Sequence, residues 1–164
     1  MRPLPLMLAV GATVGLGSAS PAFADQPAGE LHAKCFVRMI KASHDAGGGI
    51  DPKITRLRPY LEKAPFTAWK SFSLVDEKDM TVAPNTTDRF QLPNGKQASL
   101  SYVDHVLSPQ GKHRLRLKLE IDKEAKKEID TTFVLDEGGV VFTAGQKYAG
   151  GMLILGVSCD IPND

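Results

Sequence analysis

The sequence predicts a mainly β fold, an antiparallel β-sandwich of about eight to nine short strands with one helical insertion; a small closed β-barrel is the alternative architecture. Three observations carry that expectation. Apolar and polar residues alternate along several segments, turn-forming clusters recur between them, and a helix-start signal occurs at Asp51-Pro52.

Residues 1–24 stand apart from this pattern. Arg2 is followed by an apolar run from Leu4 to Leu16 and then by small residues closing on Ala22-Phe23-Ala24. That order reads as a secretory signal peptide with an Ala-x-Ala cleavage site, so a mature single domain is expected over 25–164. The run is about 13 residues and contains Gly11 and Gly15, short of the roughly 20 residues that a membrane-spanning helix needs. No later stretch reaches that length, so no transmembrane segment is expected after signal removal. Asp25, rather than a cysteine, follows the cleavage site, which leaves no residue there for a lipid anchor. The expected location is exported, either periplasmic or extracellular.

The elements follow in order. Lys34 to Ala42 has apolar residues on both parities and no helix caps, and is read as a strand, although its apolar positions also suit a helix. Ser43 to Gly49 contains three successive glycines and is a connection, because glycine loses the most backbone entropy inside regular structure. Asp51 can cap a helix and Pro52 suits its first position, with Ile54, Leu57 and Leu61 on one face. Pro59 should kink that helix or divide it into two short pieces ending by Lys63. From Trp69 onward strands and tight turns are expected. Leu115, Leu117, Leu119 and Ile121 alternate with charged residues through His113–Asp122, which predicts a strand with one buried face. Phe90–Leu92 and Ala98–Tyr102 flank the turn Pro93-Asn94-Gly95-Lys96 and predict a hairpin. Ile129 to Leu135, the turn Asp136–Gly139 and Val140–Phe142 predict a second hairpin, with charged Lys123–Glu128 as a polar loop before it. Met152 to Val157 is apolar on both parities apart from Gly156, as expected of a central strand covered on both faces.

The strand ending in Lys41-Ala42-Ser43, the Gly-rich loop into Ile50-Asp51-Pro52, Ser71-Phe72-Ser73-Leu74, Leu92-Pro93-Asn94-Gly95 and Ala144-Gly145-Gln146-Lys147-Tyr148 with Gly150-Gly151 occur in a characteristic order. In that order the chain resembles secreted bacterial β-sandwich proteins of no established function. The resemblance covers most of 25–164 and rests on turn and core residues. It implies the fold and export, and brings no catalytic residue with it.

Two cysteines, Cys35 and Cys159, lie near the ends of the exported portion, where an oxidising compartment favours a structural disulfide between them. That bond requires their Cα atoms within about 7 Å, so the first and last strands must run side by side or face one another.

The search for chemistry yields no catalytic, cofactor or metal site. Gly156-Val157-Ser158-Cys159-Asp160 has only one of the two glycines of a serine nucleophile elbow, and no helix is expected after it. His32, His44, His105 and His113 show no paired metal-ligand spacing, although His105 and His113 flank a turn and can approach one another. Asp45 and Asp51 bracket a glycine loop that lacks the alternating oxygen ligands of a calcium loop, and the same glycines lack the ending of a phosphate loop. Tyr60, Phe66 and Trp69 could stack on sugar rings, but their place between helix and strand favours packing in the core. Asn85-Thr86-Thr87 matches the acceptor pattern for N-glycosylation.

Charge narrows the partners. The chain has 20 Lys and Arg against 19 Asp and Glu, and removal of Arg2 with the signal equalises them. A neutral domain is a poor match to nucleic acid. Lys112, Arg114, Arg116 and Lys118 project from one strand face and form a possible anion-binding face, with cross-strand salt bridging as the competing use. The resulting expectation is an exported binding or structural accessory protein of the cell envelope or extracellular space. Its partner would be a protein or an envelope polymer. The alternatives are a small secreted hydrolase or an inhibitor of such hydrolases.

Overall fold

Alternation along His113–Asp122 is realised as predicted: Leu115, Leu117, Leu119 and Ile121 are buried on one face while the charged residues between them reach solvent. The computed structural model of the chain describes residues 32–123 and 126–161; the expected signal peptide, 1–24, lies outside the described residues. Eight strands occur there: β1 (Ala33–Ser43), β2 (Ser71–Val82), β3 (Thr87–Gln91), β4 (Gln97–Leu107), β5 (His113–Lys123), β6 (Lys126–Asp136), β7 (Val141–Tyr148) and β8 (Gly151–Asp160). They form two antiparallel four-stranded sheets, ordered β2-β1-β8-β7 and β3-β4-β5-β6, which pack as a sandwich.

The period of two divides the central strands between two cores. Cys35, Val37 and Met39 of β1 and Leu153, Leu155 and Val157 of β8 face inward against Leu100, Tyr102, Leu117 and Leu119 of the other sheet. Ile40, Ala42 and Ile154 point outward and are covered by Ile54, Leu57, Leu61 and Phe66 of the helical insertion. β8 therefore has both faces buried, as its unbroken apolar run implied.

The insertion is held by its first residue. Asp51 accepts a hydrogen bond from the Lys53 N–H at 2.9 Å through one carboxylate oxygen and from the Leu74 N–H at 3.2 Å through the other. The Lys53 contact leads the causes that hold the Asp51 carboxyl below its usual range. A 3-10 turn over Pro52–Leu57 is broken at Ile54 (φ −117°, ψ 18°), and α1 spans Arg58–Leu61. The expected division of the helix is thus present, with Pro59 in the first turn of α1, where a missing N–H costs no bond. A short 3-10 turn, Phe66–Ala68, leads back to β2.

Two local expectations are corrected. Asp136–Gly139 does not close a hairpin: β6 pairs only with β5, and β7 pairs with β8, so this turn carries the chain from one sheet to the other. A tight glycine turn looks alike in sequence whether the strands it joins share a sheet or stack face to face. Likewise, the described residues of Lys123–Glu128 belong to strands and not to a loop. Lys123 pairs with Lys126 and Asp122 with Lys127, so the charged residues 126–128 belong to the ladder of β6.

Cys35 and Cys159 are direct partners in the β1–β8 register and are joined by a disulfide, with Cα atoms 4.0 Å apart and 124 positions between them in sequence. First and last strands run side by side, as the bond required. The close Cα spacing belongs to a non-hydrogen-bonded antiparallel pair, the pairing that brings opposed side chains nearest.

Candidate functional site

The β7–β8 hairpin is built to present an open end. Ala149 and Gly150 form its two-residue turn with φ of +45° and +76°, the pair of left-handed residues that matches the twist of flanking strands. Next to it, Gly151 has no room for a side chain: a Cβ there would lie 2.2 Å from the Ala42 carbonyl oxygen of β1. Gly145, at φ +129°, is the extra residue of a bulge between the pairs Ala144–Ile154 and Gln146–Leu153. The bulge shifts the alternation, so Gln146 is buried while Lys147 remains exposed. Gln146 accepts a hydrogen bond from Lys96 Nζ of the β3–β4 turn, which also pairs with Glu128 of β6. The polar contact ties this end of one sheet to the other.

Across from the hairpin, His44 and Trp69 stack with ring centroids 4.3 Å apart and planes 23° apart. Their segments are fastened together by the Lys70 N–H, which donates to the Ser43 carbonyl at 3.0 Å. His44, Trp69, Tyr148 and Met152, with Gln146 and Lys147, line an open, mainly apolar cavity of about 540 Å³. This size lies within the range of small-molecule pockets, and no Asp or Glu lines it.

The sequence-predicted groups lie elsewhere. Lys112 is in the β4–β5 turn, and the other three cations of the β5 face have carboxylate partners. Arg114 Nε donates to Asp136 Oδ1 at 2.6 Å, Arg116 pairs with Asp104, and Lys118 Nζ meets Glu120 at 2.7 Å and Asp130 at 3.1 Å. Glu120 also accepts from Lys127. Hydrogen bonds from Lys118 first, and then Lys127, hold the Glu120 carboxyl down at about 2. The cross-strand use of these charges is therefore present on this face.

His105 and His113 do meet, Nε2 to Nδ1 at 2.7 Å with the rings stacked. No group of three His, Cys, Asp or Glu side chains suited to a metal occurs among the described residues. Ser158 lies in β8 and accepts a hydrogen bond from Arg38 at 3.1 Å. Asp45 accepts from the Ser43 hydroxyl at 2.6 Å, and Asp51 serves the cap already described. Tyr102, buried between the sheets, has its phenol pushed up by burial and then by the nearby Asp104 charge.

The core expectation for the three aromatics divides. Phe66 is buried; Trp69 packs against the outer core and also forms a cavity wall; Tyr60 is 44% exposed. Sequence reading weighed His44 only as a metal ligand and gave it no role, because it follows β1 with no motif around it. The Ala144–Gly151 stretch was visible as a cluster of turn residues, but nothing in it announced a pocket. No known family model matches the chain, and no curated protein matches it.

Proposed function

We propose that the protein is an exported accessory binding protein of the cell envelope or extracellular space, and that it holds a ring-shaped unit of an envelope polymer in the cavity at Trp69. The observation that carries this reading is the composition of that cavity. An apolar, aromatic-walled hollow with a few polar groups at its edge suits a pyranose, whose C–H face packs on an aromatic ring while its hydroxyls meet polar side chains. His44, Lys147 and Gln146 supply those groups. The buried disulfide fits an oxidising location, and no helix among the described residues is long and apolar enough to cross a membrane.

The hydrolase alternative calls for two carboxylates held in a cleft. The buried polar residues among those described are Arg38, Ser43, Ser99 and Gln146, and the Trp69 cavity has an amide, an imidazole and an ammonium instead. This composition favours retention of a ligand over its cleavage.

The test is retention of the purified protein on insoluble envelope polysaccharides, compared with a Trp69→Ala variant. Retention that weakens about tenfold in the variant, the effect of losing one well-packed aromatic contact, is expected. Failure of the wild-type protein to bind any of the polymers, or equal retention of both proteins, would contradict the proposal.

A further inference from the structure

A second cavity, of about 270 Å³, lies on the outer face of the β1–β8 sheet, between the helical insertion and the β6–β7 turn. Alternation along β1 puts Phe36, Arg38, Ile40 and Ala42 on this face. Most of the face is apolar, yet Arg38 is only 3% exposed. Such burial of a guanidinium is costly unless its donors are engaged. Ser158 Oγ accepts from Arg38 Nη1 at 3.1 Å, and the ring of Phe36 lies 5.5 Å from the guanidinium carbon. Glu77 of β2 forms an ion pair with Arg38, its carboxylate oxygen 2.7 Å from Nε, although the N–H does not align with it as a hydrogen bond.

Gly156 is the register partner of Arg38 on β8. A Cβ at 156 would lie 3.0 Å from the Phe142 ring, so the strand approaches its neighbours closely here. Arg56 of the insertion lines the same cavity from above, with Tyr60, Ser158 and Asp160 around it. Lys34 sits opposite Asp160 in the ladder. The charged residues that line the hollow itself are the cations Arg38 and Arg56 and the carboxylate Asp160, an excess of one positive charge in the lining, with Glu77 paired to Arg38 from outside it.

We propose that this cavity binds a carboxylate, received by Arg38 and Arg56. A guanidinium has five donors in a planar fork that matches a carboxylate in paired hydrogen bonds. One excess positive charge suits a monoanion better than a dianion. The carboxylate can belong to a free organic acid or to an acidic sugar in a polymer. The site is separate from the Trp69 cavity and from the ion-paired face of β5.

Titrations followed by nitrogen-15 NMR of the arginine Nε–H signals distinguish these sources. Acetate represents the carboxylate alone, glucuronate the same group on a sugar ring, and a glucuronate-containing oligosaccharide the polymer; glucose and sulfate serve as neutral and dianionic controls. Saturable movement of the Arg38 signal with acetate and glucuronate is expected, with glucose inert and sulfate weaker. Tighter binding of the oligosaccharide assigns the site to a polymer, and equal binding of all three assigns it to the carboxylate alone. Arg56→Gln, an exposed substitution that leaves the core untouched, should weaken binding about tenfold by removing one charge-assisted partner. Absence of saturable movement with either monomeric carboxylate, preference for sulfate, or undiminished binding by Arg56→Gln overturns the proposal.

Discussion

Glu120 shows what a single side chain contributes to an exposed sheet face. Its carboxyl is lowered from 4.5 to about 2 by hydrogen bonds from Lys118 and Lys127. A carboxyl whose folded pKa lies below its unfolded value stabilises the fold in full above the unfolded value, and this contribution disappears as pH falls through the folded one. The thermal midpoint of the wild-type protein should therefore exceed that of Glu120→Gln at neutral pH, with the gap closing between about 4.5 and 2. A gap that is unchanged across this window would show that it does not come from the ionised carboxylate and its lysine partners. Added salt should narrow the neutral-pH gap, because exposed charges are screened. The charged side of β5 was legible because alternation forces it outward. Arg38 was not legible: it lies in Phe36-Val37-Arg38-Met39 on a strand with both faces covered, and alternation alone does not separate a buried cation from a solvated one.

Among the elements, the β7–β8 hairpin separates two costs that glycine avoids. At Gly150, φ is +76° and an added Cβ would meet nothing, so Gly150→Ala should cost about 1 kcal/mol through the backbone alone. At Gly151 the added Cβ would lie 2.2 Å from the Ala42 carbonyl, and Gly151→Ala should cost about 2 kcal/mol or more. Urea unfolding of the two variants checks the order; a smaller loss at Gly151 would mean that the hairpin end does not lie against β1. Strands and their buried faces were readable from period and turn residues, including β5 and the two-sided β8. The partner across a turn was not. Asp136–Gly139 has the residues of a hairpin but crosses between sheets, because β7 pairs with β8, which the long-range pairing with β1 holds in the other sheet. Charge also misled at residues 126–128, where edge-strand residues with exposed side chains resemble a loop.

For the whole molecule, the disulfide fastens the first strand to the last in the middle of one sheet. A closed loop of this length restricts the unfolded chain strongly, and replacing both Cys35 and Cys159 by Ser should cost about 2–4 kcal/mol in urea unfolding. An unchanged unfolding midpoint would show that strand pairing alone holds the chain ends together. The sandwich, its helical insertion and this bond could all be anticipated from sequence, since each follows from residue patterns or compartment chemistry. The two cavities could not, because they arise where segments distant in the chain converge: His44 and Trp69 on the β7–β8 hairpin, and Arg38 with Arg56 beneath the β6–β7 turn.

Trp69 is the one tryptophan in the chain, so its fluorescence reports on the cavity wall without interference from another indole. Titration of the protein with soluble fragments of the envelope polysaccharides that retain it gives the most direct measurement of ligand binding there. A saturable change in Trp69 emission is expected, and it should be lost when Met152→Phe crowds the cavity without adding a second indole. Polymer binding with no change in Trp69 emission, or with the same affinity after the cavity is crowded, would contradict ligand binding in this cavity.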